Sequence, residues 1–134
     1  MTNTEAALRA ALARPAGPSS DFDLNPGIRP PADKPLRPAA VLVPVWLRPE
    51  GAALILTKRS SHLKHHPGQI AFPGGKVDAT DAGPEAAALR ETREEIGLDP
   101  ARVEILGTLP VHETVTGFAI TPFVGLIQGP FTPT

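Results

Sequence analysis

Apolar positions along the chain fall into blocks separated by glycine- and proline-rich punctuation. The run AAVLVPVWL (39–47) is nearly unbroken and carries several β-branched residues, the pattern of a buried strand. Arg48-Pro49-Glu50-Gly51 reads as a turn, and AALILTKR (52–59) predicts a second strand, giving a hairpin. The short segment GQIAF (68–72) ends at Pro73-Gly74-Gly75. Two more strands are predicted at VEILGTLPV (103–111) and FAITPFVGLI (118–127), joined by a turn over 112–117. Ahead of these two strands, residues 84–96 contain good helix formers throughout. Pro84 suits the first helical position and Gly97 the residue just past the end. Strands, one helix, then strands predict a mixed α/β or α+β sheet protein.

The first 38 residues follow different rules. Residues 4–14 read as a short Ala/Leu helix, with capping-box spacing at Thr2 and Glu5 and a stop at Pro15. Seven of the seventeen prolines lie in the first 40 residues. Because proline removes a donor and fixes φ, residues 15–38 are expected to form no helix and no strand interior. They read as an extended arm, so the chain divides into an arm over 1–38 and a domain over 39–134.

At 134 residues the chain has the size of one domain and is long enough to bury a core. With 41% hydrophobic and 20% charged residues it is neither disordered nor repetitive. It contains no cysteine, which excludes disulfides, thiolate metal sites and cysteine nucleophiles. Thirteen basic and fourteen acidic residues leave a net charge of −1, so nothing favours nucleic acid or a membrane surface as a partner. No apolar run approaches the ~20 residues that span a bilayer. The N-terminus lacks a continuous apolar core and a cleavage-type end, so it does not read as a secretory signal. Its arginines and single acid leave an organelle-targeting reading open. The default expectation is a cytoplasmic protein.

The chemistry concentrates on the helix at 84–96. At ~100° per residue, Glu91, Glu94 and Glu95 share one sector, while Leu89, Thr92 and Ile96 form another stripe that would face the sheet. Arg90 lies four residues before Glu94, placed to fix that carboxylate. Clustered carboxylates repel one another unless a cation joins them, and hard divalent ions are held by such oxygens together with substrate phosphates. A solvated acidic face is the ordinary alternative. The double glycine Gly74-Gly75 upstream argues against it, because glycines after a strand let backbone approach a ligand.

A basic loop precedes the glycines. Residues 55–75 contain Lys58, Arg59, His62, Lys64, His65 and His66 and no acid. The histidines lack partner ligands nearby and make a poor zinc set. The arginine and lysines suit a cradle for phosphates.

These two stretches together resemble the Nudix hydrolases. The family signature runs from a glycine through a glutamate to Arg-Glu-aliphatic-x-Glu-Glu-x-Gly-aliphatic. Here it is carried by Gly75 and by Arg90-Glu91-Thr92-Arg93-Glu94-Glu95-Ile96-Gly97-Leu98. Thr92 stands at the aliphatic position, Asp81 replaces the glutamate, and the front spacing is one residue longer. Glu85 is a conceivable stand-in for that glutamate, although helical phase places it near the core stripe. The longer spacing and the aspartate also occur in the coenzyme A pyrophosphatase branch. That branch is further resembled by Leu56, Thr57, Arg59, Ser60, Gly68, Phe72, Pro73, Gly74 and Gly75, with Lys64 in the place of a usual arginine. Val115-Thr116-Gly117-Phe118 and Thr121-Pro122 extend the resemblance, which covers roughly 20–128.

The resemblance implies the Nudix α/β/α sandwich built on a mixed sheet. It implies hydrolysis of the diphosphate linkage of coenzyme A or its derivatives, dependent on Mg²⁺ or Mn²⁺, to 3′,5′-ADP and 4′-phosphopantetheine. Glu91 and Glu95 are implied as main metal ligands and Glu94 as a further ligand or the water-activating base. Arg90 would orient it, and the Gly75 carbonyl would be another ligand. Arg59 and Lys64, with Gly74 and Gly75, would meet the substrate. Glu113 is a further candidate base. The alternatives are another nucleoside diphosphate, such as ADP-ribose or NADH, or a non-catalytic nucleotide-binding domain. The family fold also closes with more sheet and a second helix on the opposite sheet face. The last predicted strand lies seven residues before Thr134. The expectation is therefore a C-terminally incomplete sandwich with an exposed sheet face, or one covered by a second copy in a homodimer. The Ala/Leu helix at the N-terminus reads as a poor cover.

Overall fold

A computed structural model of the chain describes residues 3–14, 19–20, 36–58, 70–114 and 117–132. The elements are α1 (Asn3–Leu12), β1 (Ser19–Ser20), β2 (Arg37–Arg48), β3 (Gly51–Leu54), β4 (Thr57–Lys58), β5 (Ile70–Ala71), β6 (Gly74–Lys76), α2 (Pro84–Ile96), β7 (Val103–Thr108), β8 (His112–Glu113) and β9 (Phe118–Gln128), with a 3-10 turn at Pro100–Arg102. Among the described residues no helix is long and apolar enough to cross a membrane.

The two long apolar runs are the centre of the sheet. β2 and β9 pair in parallel from Arg37 opposite Phe118 to Leu47 opposite Gln128. Outside them, β2 pairs antiparallel with β6 and then β3, and β9 with β8 and then β7. Pro44 and Pro122 lie inside these central strands, which their chemistry ordinarily forbids. Each falls where its strand passes from one antiparallel neighbour to the next, so no ladder bond on that side asks for the missing N–H. A separate two-stranded sheet joins β4 to β5.

Both faces of the sheet are covered, which explains why these strands read as continuous rather than alternating apolar runs. On one face Ala40, Leu42, Phe123 and Ile127 pack with Ala87, Ala88 and Ile96 of α2 and with Leu98. On the other, Val45, Val124 and Leu126 receive Leu8 and Leu12 of α1. Arg9 pins α1 to β7, its Nη2 donating to Glu104 at 2.6 Å and its Nε to the buried Glu5 at 3.2 Å. The expected sandwich is present as an α+β fold.

Several expectations need correction. On the opposite face, helix α1 lies against the sheet. The Ala/Leu helix, read as a poor cover, does pack there: Leu8 and Leu12, one turn apart, present a single stripe to three buried sheet residues. The proline-rich arm contributes to the sheet: Ser19–Ser20 pairs in parallel with His112–Glu113, and β2 already includes Arg37 and Pro38. Pro38 is tolerated near the strand start, where its carbonyl accepts from the Val77 amide. The second strand breaks at Ile55–Leu56 into β3 and β4. The turn expected at 112–117 begins instead with β8, so Glu113 sits on a short strand opposite Ala119. Gly74-Gly75, read as glycines that follow a strand, are themselves part of strand β6, paired with Val41 and Ala40.

Candidate active site

Helix α2 spans the predicted residues. Pro84 stands in its first turn, and Gly97 ends it at φ 75°, its amide donating to the Arg93 carbonyl at 3.0 Å. That left-handed conformation favours glycine and stops the helix one residue after the acidic run. The buried side of α2 is Ala87, Ala88, Thr92 and Ile96. Leu89 is only half-buried, so the two alanines rather than the leucine set the close approach to the sheet. Thr92 tolerates full burial because its hydroxyl donates to the Ala88 carbonyl at 2.7 Å. Glu85 is exposed, not part of the core stripe as its phase suggested. It does not replace the missing glutamate near Arg90, whose described acidic partners are Asp78, Asp81, Glu91 and Glu94.

Asp81 takes that place. Arg90 grips it in a fork, Nε to Oδ1 at 2.9 Å and Nη2 to Oδ2 at 3.0 Å, and the Asp81 side chain is 5% exposed. Asp81 Oδ2 also accepts from the Asp78 amide at 2.8 Å. Nη2 of Arg90 donates to the Lys76 carbonyl at 3.3 Å and lies 3.3 Å from Asp78 Oδ2. The remaining nitrogen, Nη1, donates to Glu91 at 2.9 Å and to Glu94 at 3.3 Å. One guanidinium thus ties the turn before α2 to two of its carboxylates. The Arg90 hydrogen bonds, then the Asp78 amide, hold the Asp81 carboxyl below its ordinary range. The same bond to Asp81 pushes the Arg90 guanidinium up, so it stays charged.

Gly75 explains where Glu91 rests. A Cβ at position 75 would fall 2.8 Å from the Glu91 carboxyl carbon and 3.0 Å from each of its oxygens. The carboxylate therefore lies against the glycine backbone, in a cradle that any side chain would fill. At Gly74 a Cβ would meet the Ala40 carbonyl oxygen at 2.3 Å and Val41 Cα at 2.6 Å, so this glycine serves the packing of β6 on β2. The acids of α2 offer only hard oxygen donors at i, i+3 and i+4, which suits a small divalent ion. Among the described residues no three such side chains already converge as a metal site: Glu91 and Glu94 are turned toward Arg90.

Arg59 and Lys64, with Gly68 and the loop histidines, lie outside the described residues. Asp78 is the contact that sequence reasoning missed. The signal was an acid two residues past Lys76, in the turn that leads to the helix.

A short strand with a glycine cradle, followed by a helix whose Glu91 rests in it beside Arg90, matches a known family. The model of the NUDIX domain fits residues 36–129. This chain belongs to the Nudix family. A Nudix hydrolase NudL from Enterobacter sp., itself uncharacterized, is 58% identical over 91 residues, covering 68% of this chain and 47% of that protein. A counterpart from Salmonella paratyphi B is 56% identical over the same share. The chain thus spans about half the length of the curated relatives it matches. Among solved structures, the Nudix hydrolase RenU from M. smegmatis aligns with a TM-score of 0.61 at 26% identity, over 73% of this chain and 63% of that one. A C. elegans Ap4A hydrolase aligns at 0.59 and 22% identity, over 72% and 70%, a likeness of fold alone.

Proposed function

We propose that this Nudix chain hydrolyses the diphosphate linkage of coenzyme A and its derivatives, releasing 3′,5′-ADP and 4′-phosphopantetheine, with Mg²⁺ or Mn²⁺. The observation that carries the reading is the placement of Glu91, held between the bare backbone of Gly75 and the Arg90 guanidinium. Family membership and the NudL relatives support a diphosphate hydrolase; the branch-specific residues from Leu56 to Gly75 favour coenzyme A over other nucleoside diphosphates.

The chemical difficulty is electrostatic, since a diphosphate repels an incoming nucleophile. A bound divalent ion supplies charge neutralisation and lowers the pKa of water at the site. Glu91 and Glu95, with the Gly75 carbonyl and Glu94, are the groups that would hold it. Glu94 is the more exposed of the two glutamates on Arg90, at 58% against 22% for Glu91. It can therefore leave Arg90 to take a proton from water, while Glu91 stays seated against Gly75. Arg90 keeps its charge throughout because Asp81 does not release it. Arg59 and Lys64 would bind substrate phosphates by charge.

The deciding experiment is hydrolysis with Mg²⁺ or Mn²⁺ on coenzyme A, ADP-ribose and NADH, with the products identified. Release of 3′,5′-ADP from coenzyme A as the preferred reaction is expected. Preference for ADP-ribose or NADH would assign another nucleoside diphosphate. Metal-independent binding without turnover of any of them would overturn the enzymatic reading.

A further inference from the structure

Away from the acids, the start of the sheet gathers two cations over one ring. The Arg37 guanidinium stacks 4.4 Å from the centroid of Phe118, and Lys76 Nζ lies 5.8 Å from the same centroid. Strand register places them together: Arg37 faces Phe118 across β2 and β9, and Lys76 faces Ala39, two residues along β2 on the same side. Arg37 and Lys76 are both exposed. Neither is paired with a carboxylate among the described residues, whereas Arg9 and Arg90 each engage two or more.

An aromatic face attracts a cation but leaves its N–H donors unused. Two positive charges on one ring also repel each other. Both conditions are relieved by the same thing, an anion lying between the two side chains. A phosphomonoester suits the position, since its charge of about −1.5 to −2 matches two cations and its oxygens accept from both an arginine fork and a lysine.

The location within the fold adds a second point. Successive residues of a strand face opposite sides, so on β6 Gly75 abuts Glu91 while Lys76 turns to Phe118. The cation pair lies across a single three-residue strand from the carboxylates.

We propose that Arg37 and Lys76, held on Phe118, form an anion subsite for a phosphomonoester of the substrate, separate from the diphosphate that the α2 carboxylates address. This assignment rests on the diphosphate-hydrolase reading for the identity of the substrate. The geometry of the cation pair stands without it.

The test is binding of two nucleotides that differ by one phosphate, 3′,5′-ADP and 5′-AMP, by calorimetry on the full chain without metal. Wild type is expected to prefer 3′,5′-ADP by about tenfold. Arg37→Gln and Lys76→Gln should each remove most of that preference and leave 5′-AMP binding unchanged. Phe118→Leu, which keeps bulk but removes the ring, should reduce the preference partway. No preference in wild type, a preference kept in both glutamine variants, or an equal loss for both nucleotides would overturn the subsite. Because the readout is binding, failure of hydrolysis on coenzyme A would reject the activity and leave this result standing.

Discussion

Arg90 and Asp81 meet as a two-bond fork, at 2.9 and 3.0 Å, with the aspartate side chain almost wholly enclosed. The hold of Arg90 on Glu91 depends on this contact, because Arg90 reaches Glu91 and Glu94 only with the nitrogen that Asp81 leaves over.

Asp81→Asn removes the charge from the fork and loosens the carboxylates beyond it. Apparent metal affinity in a turnover assay should fall about 10- to 100-fold, as for other groups that orient a ligand from behind. An unchanged metal titration would refute the positioning role.

The same contact predicts a pH dependence. The Asp81 carboxyl is depressed below its ordinary value of 3.8 in the folded chain. Its contribution to stability is therefore fully present above about 3.8, declines as pH falls from there toward the lower folded value, and is gone below it. Urea melts between pH 5 and pH 2 should show a shallower acid loss in Asp81→Asn than in wild type. Equal slopes would exclude Asp81 as a source of the acid limb.

The two glycines of β6 should separate function from folding. In Gly75→Ala the new methyl meets the end of the Glu91 side chain, which can turn aside. Stability should change by about 1 kcal/mol or less while turnover drops at least about 100-fold. In Gly74→Ala the methyl meets the backbone of Ala40 and Val41, which cannot yield, and a loss of about 3 kcal/mol is expected. Melting curves and initial rates on both variants check the contrast.

If Glu95 is a metal ligand as proposed, Glu95→Gln should abolish turnover with stability held within about 1 kcal/mol, because an exposed side chain carries little folding energy. Full activity in this variant would remove the metal-helix assignment.

Leu8→Ala and Leu12→Ala test the cover on the second sheet face. Both side chains are half-buried, so each should cost about 1–2 kcal/mol, below the value for a fully enclosed leucine. Added dye binding to exposed apolar surface should accompany the double variant. No stability change in either would mean that α1 does not cover that face.

Much of this molecule is legible in one dimension. The nearly unbroken apolar run at 39–47 reads directly as a buried strand, and 118–127 as a further strand. Pro84, the i, i+3, i+4 acids and Gly97 delimit α2 because caps and helical phase are local properties of the chain. The partner of Arg90 was harder to read: Asp81 was visible as a departure from the family pattern, but its role was not.

Tertiary structure decided what depends on neighbours distant in sequence. The strand character of Gly74–Lys76 comes from hydrogen bonds to β2, which no local propensity of a Gly-Gly-Lys segment encodes. The packing of α1 on Val45, Val124 and Leu126 depends on a surface assembled from two strands about eighty residues apart in the chain. The meeting of Arg37, Lys76 and Phe118 likewise follows from register. Sequence determined which side chains are available for chemistry; pairing across the sheet determined which of them share a site, because hydrogen-bond ladders fix position between residues that the covalent chain leaves free.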